Sequence, residues 1–264
     1  MIALVGDTEI AFDDIGSGLP VVFVHAFPLN RTMWDPQVTA LVGECRCIPI
    51  DLRGFGDSKA SAPYSMDQYA DDVVAVLDTL QIEQAVIVGL SLGGYVTFAL
   101  WRRHRSRVRA LVLADTRADA DTSDNIARRR ALIELAETQG SVAVANVQIA
   151  GLVGKTTRDK RPDIYDSVHR LIAQAPPEGI VGALEAMMSR PDSTPTLSTI
   201  DVPTLIVVGS EDVSTPPRDA RALHAAIPGS RLEVLQQAGH LSNLERPAAF
   251  NTVVTEFLGS LLYN

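Results

Sequence analysis

Cysteine is nearly absent from this chain: Cys45 and Cys47 are the only two among 264 residues. They lie two apart in "GECRCIPID" and project to one side of a predicted strand. That spacing is poor for a mutual disulfide, and two thiolates alone do not complete a zinc site, so both read as buried, reduced thiols. Long apolar runs are also missing. None approaches the ~20 residues a helix needs to cross a bilayer. The N-terminus, "MIALVGDTEI", has neither the basic start nor the apolar stretch of a secretory leader, so a cytoplasmic protein is expected. Basic residues are in deficit, with 23 Lys and Arg against 32 Asp and Glu and a formal net charge of -9. Such a surface repels nucleic acid and anionic membranes, and neither is expected as a partner. No internal repeat or low-complexity segment is present.

What remains is the composition of a globular protein with a sizeable core, 46% hydrophobic and 21% charged. Short apolar runs without strict alternation recur at 21–24, 47–50, 85–88, 110–114, 204–208 and, more weakly, 231–235. Runs of this kind suit parallel strands buried on both faces. Helical spacing separates them, as at 66–80, where Tyr69, Val73, Val76, Leu77 and Leu80 share a face, and from Ser91 onward through Phe98 and Trp101. The alternation predicts an α/β domain with a mainly parallel sheet. The opening segment reads as an antiparallel hairpin on the sheet edge, turning near Gly6-Asp7. Between Thr116 and Pro191 the rhythm stops, and helical patterns at 126–138, 142–152, 164–175 and 180–188 take over. A strandless stretch of this length is no ordinary connection, so an inserted helical cap is expected over 116–191 on a core of 1–115 and 192–264.

The apolar runs end in chemically useful residues: His25, Asp51, Ser91, Asp115, Asp212 and His240. The carboxyl ends of parallel strands form one rim, where ligands bind, so these residues should gather along one edge. Ser91 lies in "GLSLG", a G-x-S-x-G pattern between a strand and a helix, the context in which a sharp turn exposes the serine hydroxyl. A serine needs a base. Among five histidines, His240 in the glycine-containing loop "QQAGHLSNLERP" is best placed; His104, His169 and His224 lie in helical segments and His25 reads as structural. An acid must orient the imidazole, and Asp212 in "VVGSEDVSTPP" fits the chain order Ser, Asp, His, with Asp115 as the rival. Oxyanion donors are available from the backbone N–H groups of Leu92, at the helix start, and Phe27, in the loop after His25.

Together, "VFVHAFPLNRTMW", "DLRGFGDS", "VGLSLGGYV", "VPTLIVVGSEDVSTPP" and "AGHLSNLERP" resemble the α/β-hydrolase superfamily over nearly the whole chain. Within it, the chain is similar to 3-oxoadipate enol-lactonase-like enzymes and small carboxylesterases. The resemblance implies a mainly parallel eight-stranded sheet flanked by helices, with an inserted helical cap. It implies a serine hydrolase of small carboxylic esters or lactones that works through an acyl-enzyme without metal or organic cofactor. Ser91 would be nucleophile, His240 base, Asp212 acid, and Phe27 and Leu92 the oxyanion donors. His25-Ala26 stands where the superfamily usually has His-Gly. A C–C hydrolase, a thioesterase, a cofactor-free perhydrolase or a non-catalytic receptor could use the same scaffold. The expected partner is a small ester or lactone, with homo-oligomerisation left open. Trp34, Met187 and Met188 are the candidate substrate contacts, and Arg31, Arg117 and Arg190 the candidate cations for an acidic substrate. Arg53 and Asp57 of "DLRGFGDS" read as a bracing pair.

Overall fold

A computed structural model describes residues 1–6, 8–60 and 62–262. The chain runs through β1 (Ile2–Val5), β2 (Thr8–Ala11), β3 (Ile15–Gly16), β4 (Leu19–Val24), α1 (Asp35–Leu41), β5 (Cys45–Ile50), α2 (Met66–Thr79), β6 (Ala85–Leu90), α3 (Leu92–His104) and β7 (Val108–Ala114). Four helices follow without a strand: α4 (Ser123–Leu152), α5 (Lys155–Lys160), α6 (Pro162–Ala173) and α7 (Pro177–Met188). The sheet then resumes with β8 (Thr204–Gly209), α8 (Pro217–Ala226) and β9 (Arg231–Leu235), and the chain closes with α9 (Ser242–Glu245) and α10 (Pro247–Ser260).

The main sheet has seven strands in the order β3-β5-β4-β6-β7-β8-β9, all parallel except the short β3. Eight were expected. The difference lies at the N-terminus, where β1 and β2 pair only with each other, as a separate antiparallel hairpin. Its Gly6 has φ +58, and the adjoining Asp7 of the expected turn lies outside the described residues. Among the described residues the hairpin segment meets the sheet through a single bridge, Phe12 to Ile50. On that edge Pro49 accepts from the Asp13 N–H at 3.0 Å but has no N–H of its own, so a continuous ladder cannot form there.

All six residues of β6 and all six of β8 are buried, as continuous apolar strands covered on both faces should be. Helix α3 lies on β4, β6 and β7 and packs against α2, while α1 and α10 pack together. In α2 the buried face includes the predicted Tyr69, Val73, Val76 and Leu77, and the Ser65 side chain caps its first turn by accepting from the Gln68 N–H at 3.0 Å. Each such fully buried aliphatic side chain contributes about 1.5–3 kcal/mol relative to exposure. Cys45 and Cys47 are buried and unbridged, and burial pushes the Cys47 thiol up to about 12.

The inserted helices break where the sequence pattern breaks. In α4 the helix is interrupted at Gly140 (φ 76, ψ -177), a conformation that glycine adopts at little cost, between the predicted segments 126–138 and 142–152. Helix α4 packs on α6 and α7. Among the described residues no helix is long and apolar enough to cross a membrane.

Candidate active site

Ser91 stands between β6, in the middle of the sheet, and α3, with φ 55 and ψ -108. Positive φ is uncommon for a residue with a side chain and is sustained only where the surroundings enforce it. Here the Ser91 N–H donates to the Ala114 carbonyl at 3.0 Å, and its own carbonyl accepts from the Gly94 N–H and the Thr116 hydroxyl, each at 2.9 Å. The neighbouring glycines are needed for room: a Cβ on Gly93 would strike the Val24 carbonyl, and one on Gly94 would strike the Thr116 side chain. The tight turn projects the serine hydroxyl from the rim.

The strands beyond β7 deliver its partners. His240 Nε2 lies 2.8 Å from Ser91 Oγ, and His240 Nδ1 lies 2.8 Å from Asp212 Oδ2. Asp212 in turn accepts from the Thr215 hydroxyl at 2.7 Å and from the Ser214 and Thr215 N–H groups at 2.8 and 3.0 Å. Burial disfavours charge on both members of the His240–Asp212 pair. Their mutual attraction outweighs it, so the imidazole pKa is raised and the carboxyl pKa lowered, with the Thr215 bonds adding to the latter. The arrangement fixes the Nδ1–H tautomer and leaves Nε2 to take a proton from Ser91.

The rival acid, Asp115, is fully buried on the same rim but bonds elsewhere. Its Oδ1 accepts from the Gly209 N–H at 2.8 Å, and its Oδ2 bonds the Ser242 hydroxyl. Burial raises its pKa, and repulsion from Asp212 adds to this; with its oxygens bonded to Gly209 and Ser242, Asp115 is a structural tie. His25 is also structural. Its Nε2 accepts from the Leu52 N–H at 3.0 Å, Nδ1 faces the Ala26 carbonyl, and burial lowers its pKa. Ala26, in place of glycine, buries its methyl completely and donates its N–H to Met33 Sδ at 3.2 Å. The amides of Phe27 and Leu92 have no hydrogen-bond partner among the described residues. Phe27 also lines the cleft over Ser91.

That cleft holds about 370 Å³. Ser91, Tyr95 and His240 form its floor, and Arg128, Leu132, Gln148 and Leu152 of α4, with Leu184 and Met187 of α7, form its wall. Of the expected substrate contacts, Met187 is therefore at the cleft, but Met188 is outside it, because consecutive helical residues point about 100° apart. Trp34 is also outside. It is fully buried between Phe23 and Phe250, with ring centroids 5.4 and 6.1 Å away, and serves the core. Of the candidate cations, only Arg117 lines the cleft. Arg31 is held by Asp13, Asp51 and Asp57. Arg190 lies behind the wall, stacked 4.2 Å over the Tyr95 ring and paired with Asp121 at 2.8 Å. The expected Arg53–Asp57 brace is not formed: Arg53 makes a two-pronged bond to buried Asp72 at 2.7 and 2.6 Å, which leaves Asp57 to Arg31.

Two cleft arginines escaped the sequence reading, Arg128 and Arg129, in the run Arg128-Arg129-Arg130 of an otherwise acidic chain. Asp121 pairs with Arg129 and Arg190, and Arg117 reaches to 3.6 Å of it. Arg128 is exposed and has no ion-pair partner among the described residues. The cleft of a chain with net charge -9 thus carries local positive charge. The run of three arginines was the available signal.

This fold and rim define an α/β hydrolase, and the chain belongs to that family: the model of the alpha/beta hydrolase fold family matches residues 20–247. Among its relatives is 3-oxoadipate enol-lactonase 2 of Acinetobacter baylyi, 32% identical over 89% of this chain and 86% of that protein. Among solved structures, a thermophilic esterase of Thermogutta terrifontis, described with malate bound, superposes with TM-score 0.94 at 38% identity, covering 98% of this chain and 97% of its own. The enol-lactonase of Burkholderia xenovorans LB400 superposes with TM-score 0.91 at 31% identity, covering 98% and 100%. With such relatives the protein is a carboxylic ester hydrolase in the broad sense that includes lactones.

Proposed function

We propose that the protein hydrolyses small carboxylic esters or lactones through Ser91, His240 and Asp212. The observation that carries this reading is the unbroken chain from Ser91 Oγ to His240 to Asp212, with both links at 2.8 Å. His240 Nε2 takes the Ser91 proton as Oγ attacks the carbonyl carbon, and Asp212 stabilises the imidazolium. The free N–H groups of Leu92 and Phe27 receive the oxyanion. Collapse of the tetrahedral intermediate expels the alcohol, protonated by His240, and leaves an acyl-Ser91. For a lactone both halves remain on one chain. Water, activated by the same imidazole, then releases the acid.

The cleft favours substrates that carry a carboxylate beside the scissile bond. Arg117 and Arg128, the latter without an ion-pair partner among the described residues, supply the attraction, and the likeness to enol-lactonases and to an esterase described with malate bound supports this reading. A panel of esters and lactones, matched in size and differing in one carboxylate, tests both parts. Turnover that is lost in Ser91→Ala and is higher for the acidic members is expected. Turnover that survives Ser91→Ala in folded protein overturns the proposal.

A further inference from the structure

Glu245 is 2% exposed and pairs with no cation among the described residues. A buried carboxylate of this kind is tolerated only when its acceptor positions are filled. Four donors fill them, drawn from two parts of the molecule. Oε1 accepts from the N–H groups of Gly239 and Leu241, at 2.9 and 3.2 Å, the residues on either side of His240. Oε2 accepts from the Gly154 N–H at 2.9 Å and the Thr157 hydroxyl at 2.5 Å, both at the start of cap helix α5. Glu211, next to Asp212, does the same from the acid loop: it accepts from the Thr156 N–H at 2.7 Å and from the Thr156 hydroxyl.

The first N–H groups of a helix lack intrahelical partners and favour negative charge. In α5 no residue of its own caps them, and the two carboxylates from the core take that place. The backbones meet directly as well. A Cβ on Gly154 would lie 2.7 Å from Glu211 Oε2 and 2.8 Å from the Gly239 nitrogen, and one on Gly239 would lie 2.7 Å from Gly154 Cα. The Ser214 hydroxyl adds a bond to the Gly151 carbonyl at 2.9 Å.

We propose that Glu245, assisted by Glu211, is a positioning residue that locks the His240 loop to the cap, so that seating of α5 sets the placement of the imidazole. This rests on the hydrolytic role proposed for His240. The cap then does more than wall the cleft: loosening α5 releases half of the bonds of the carboxylate that holds the backbone on both sides of the base. Displacements of the order of 1 Å at a reacting group cost about 100-fold in rate, so partial release should cost about 10-fold.

The test uses full-length Glu245→Gln, Glu211→Gln and Thr157→Val, with an acetate ester whose acyl group is too small to reach α5. Glu245→Gln keeps the shape but turns two acceptor positions into donors. It should lower kcat about 10-fold with KM within about twofold. Its acid limb should also move to lower pH, because the Glu245 charge helps to raise the His240 pKa. Thr157→Val and Glu211→Gln should lower kcat several-fold without changing KM. Hydrogen exchange reads the same coupling without substrate, and Thr157→Val should speed exchange in the peptide that contains Gly239 and Leu241. Wild-type kcat and wild-type exchange in the two conservative variants Thr157→Val and Glu211→Gln, both folded, would overturn the proposal even if Glu245→Gln does not fold. Wild-type protein that turns over no ester would instead count against the hydrolase reading, and the exchange result would still decide the latch.

Discussion

At the sheet rim, Ser91, Asp212 and His240 follow strand ends by one, three and five residues, after Leu90, Gly209 and Leu235. In the cap, Arg128, Leu132, Gln148 and Met187 reach the same cleft from two helices and no strand. The rim residues are placed by parallel neighbours in register, and their hydrogen bonds are short and mutually satisfied. The cap residues are placed by which face each helix turns inward, and Arg128 there has no ion-pair partner among the described residues. Under the function proposed above, the difference divides the labour: the rim supplies acyl-transfer chemistry indifferent to most of the substrate, and the cap supplies selection.

The sharpest way to break this division is at the rim. Ser91→Ala should lower kcat by about 10⁴–10⁶-fold while leaving the fold unchanged by circular dichroism, since these residues work as a unit. Asp212→Asn should cost about 10³–10⁴-fold, because the amide favours the wrong imidazole tautomer. Asp115→Asn should stay close to wild type, because Asp115 bonds Gly209 and Ser242 rather than His240. Steady-state kinetics of the two variants side by side decides between the acids, and a reversal would place the acid on the β7 end.

Changes in the cap should alter preference more than turnover. Met187→Ala should shift relative kcat/KM toward longer acyl chains by about 10-fold, within the range one or two methylenes can give. Met188→Ala, outside the cleft, should leave preference unchanged, and a shift there would dissolve the distinction between the two methionines. Smaller still, Arg128→Ala should lower kcat/KM for a carboxylate-bearing ester about 5-fold and leave its neutral isostere unchanged, with the gap closing as salt screens the charge. The pH profile sharpens the rim side. As the proposed base His240 must be neutral to act, and Asp212 raises its pKa above that of an ordinary imidazole despite burial, so activity should fall as pH drops through a midpoint above the ordinary imidazole range in the free enzyme. A flat kcat/KM profile across mildly acidic pH would count against a histidine base.

The same division explains what could be read from the chain. The six strand runs were legible because strands buried on both faces are continuously apolar, and β9, the weakest signal, spans Arg231–Leu235 as expected. The rim followed from strand ends, and even the break at Gly140 left its mark between two helical patterns. Helix α5, "KTTRDK", was not legible, because its first turn is capped by Glu211 and Glu245, distant in sequence. The hairpin β1-β2 is antiparallel, as its sequence suggests, but its separation from the sheet depends on the ladder at Pro49, which the segment itself does not reveal. Nor could spacing say that Trp34 turns into the core, or that Arg53 would find Asp72 rather than Asp57, since both depend on packing between elements.

Acylation of Ser91 during turnover, on which the proposed function rests, is tested most directly by covalent capture. A serine-directed organophosphonate, followed by peptide mass spectrometry, should add one label to the peptide containing Ser91, with loss of activity in proportion to labelling and no label in Ser91→Ala. A label on another residue, or full activity in protein labelled at Ser91, would contradict it.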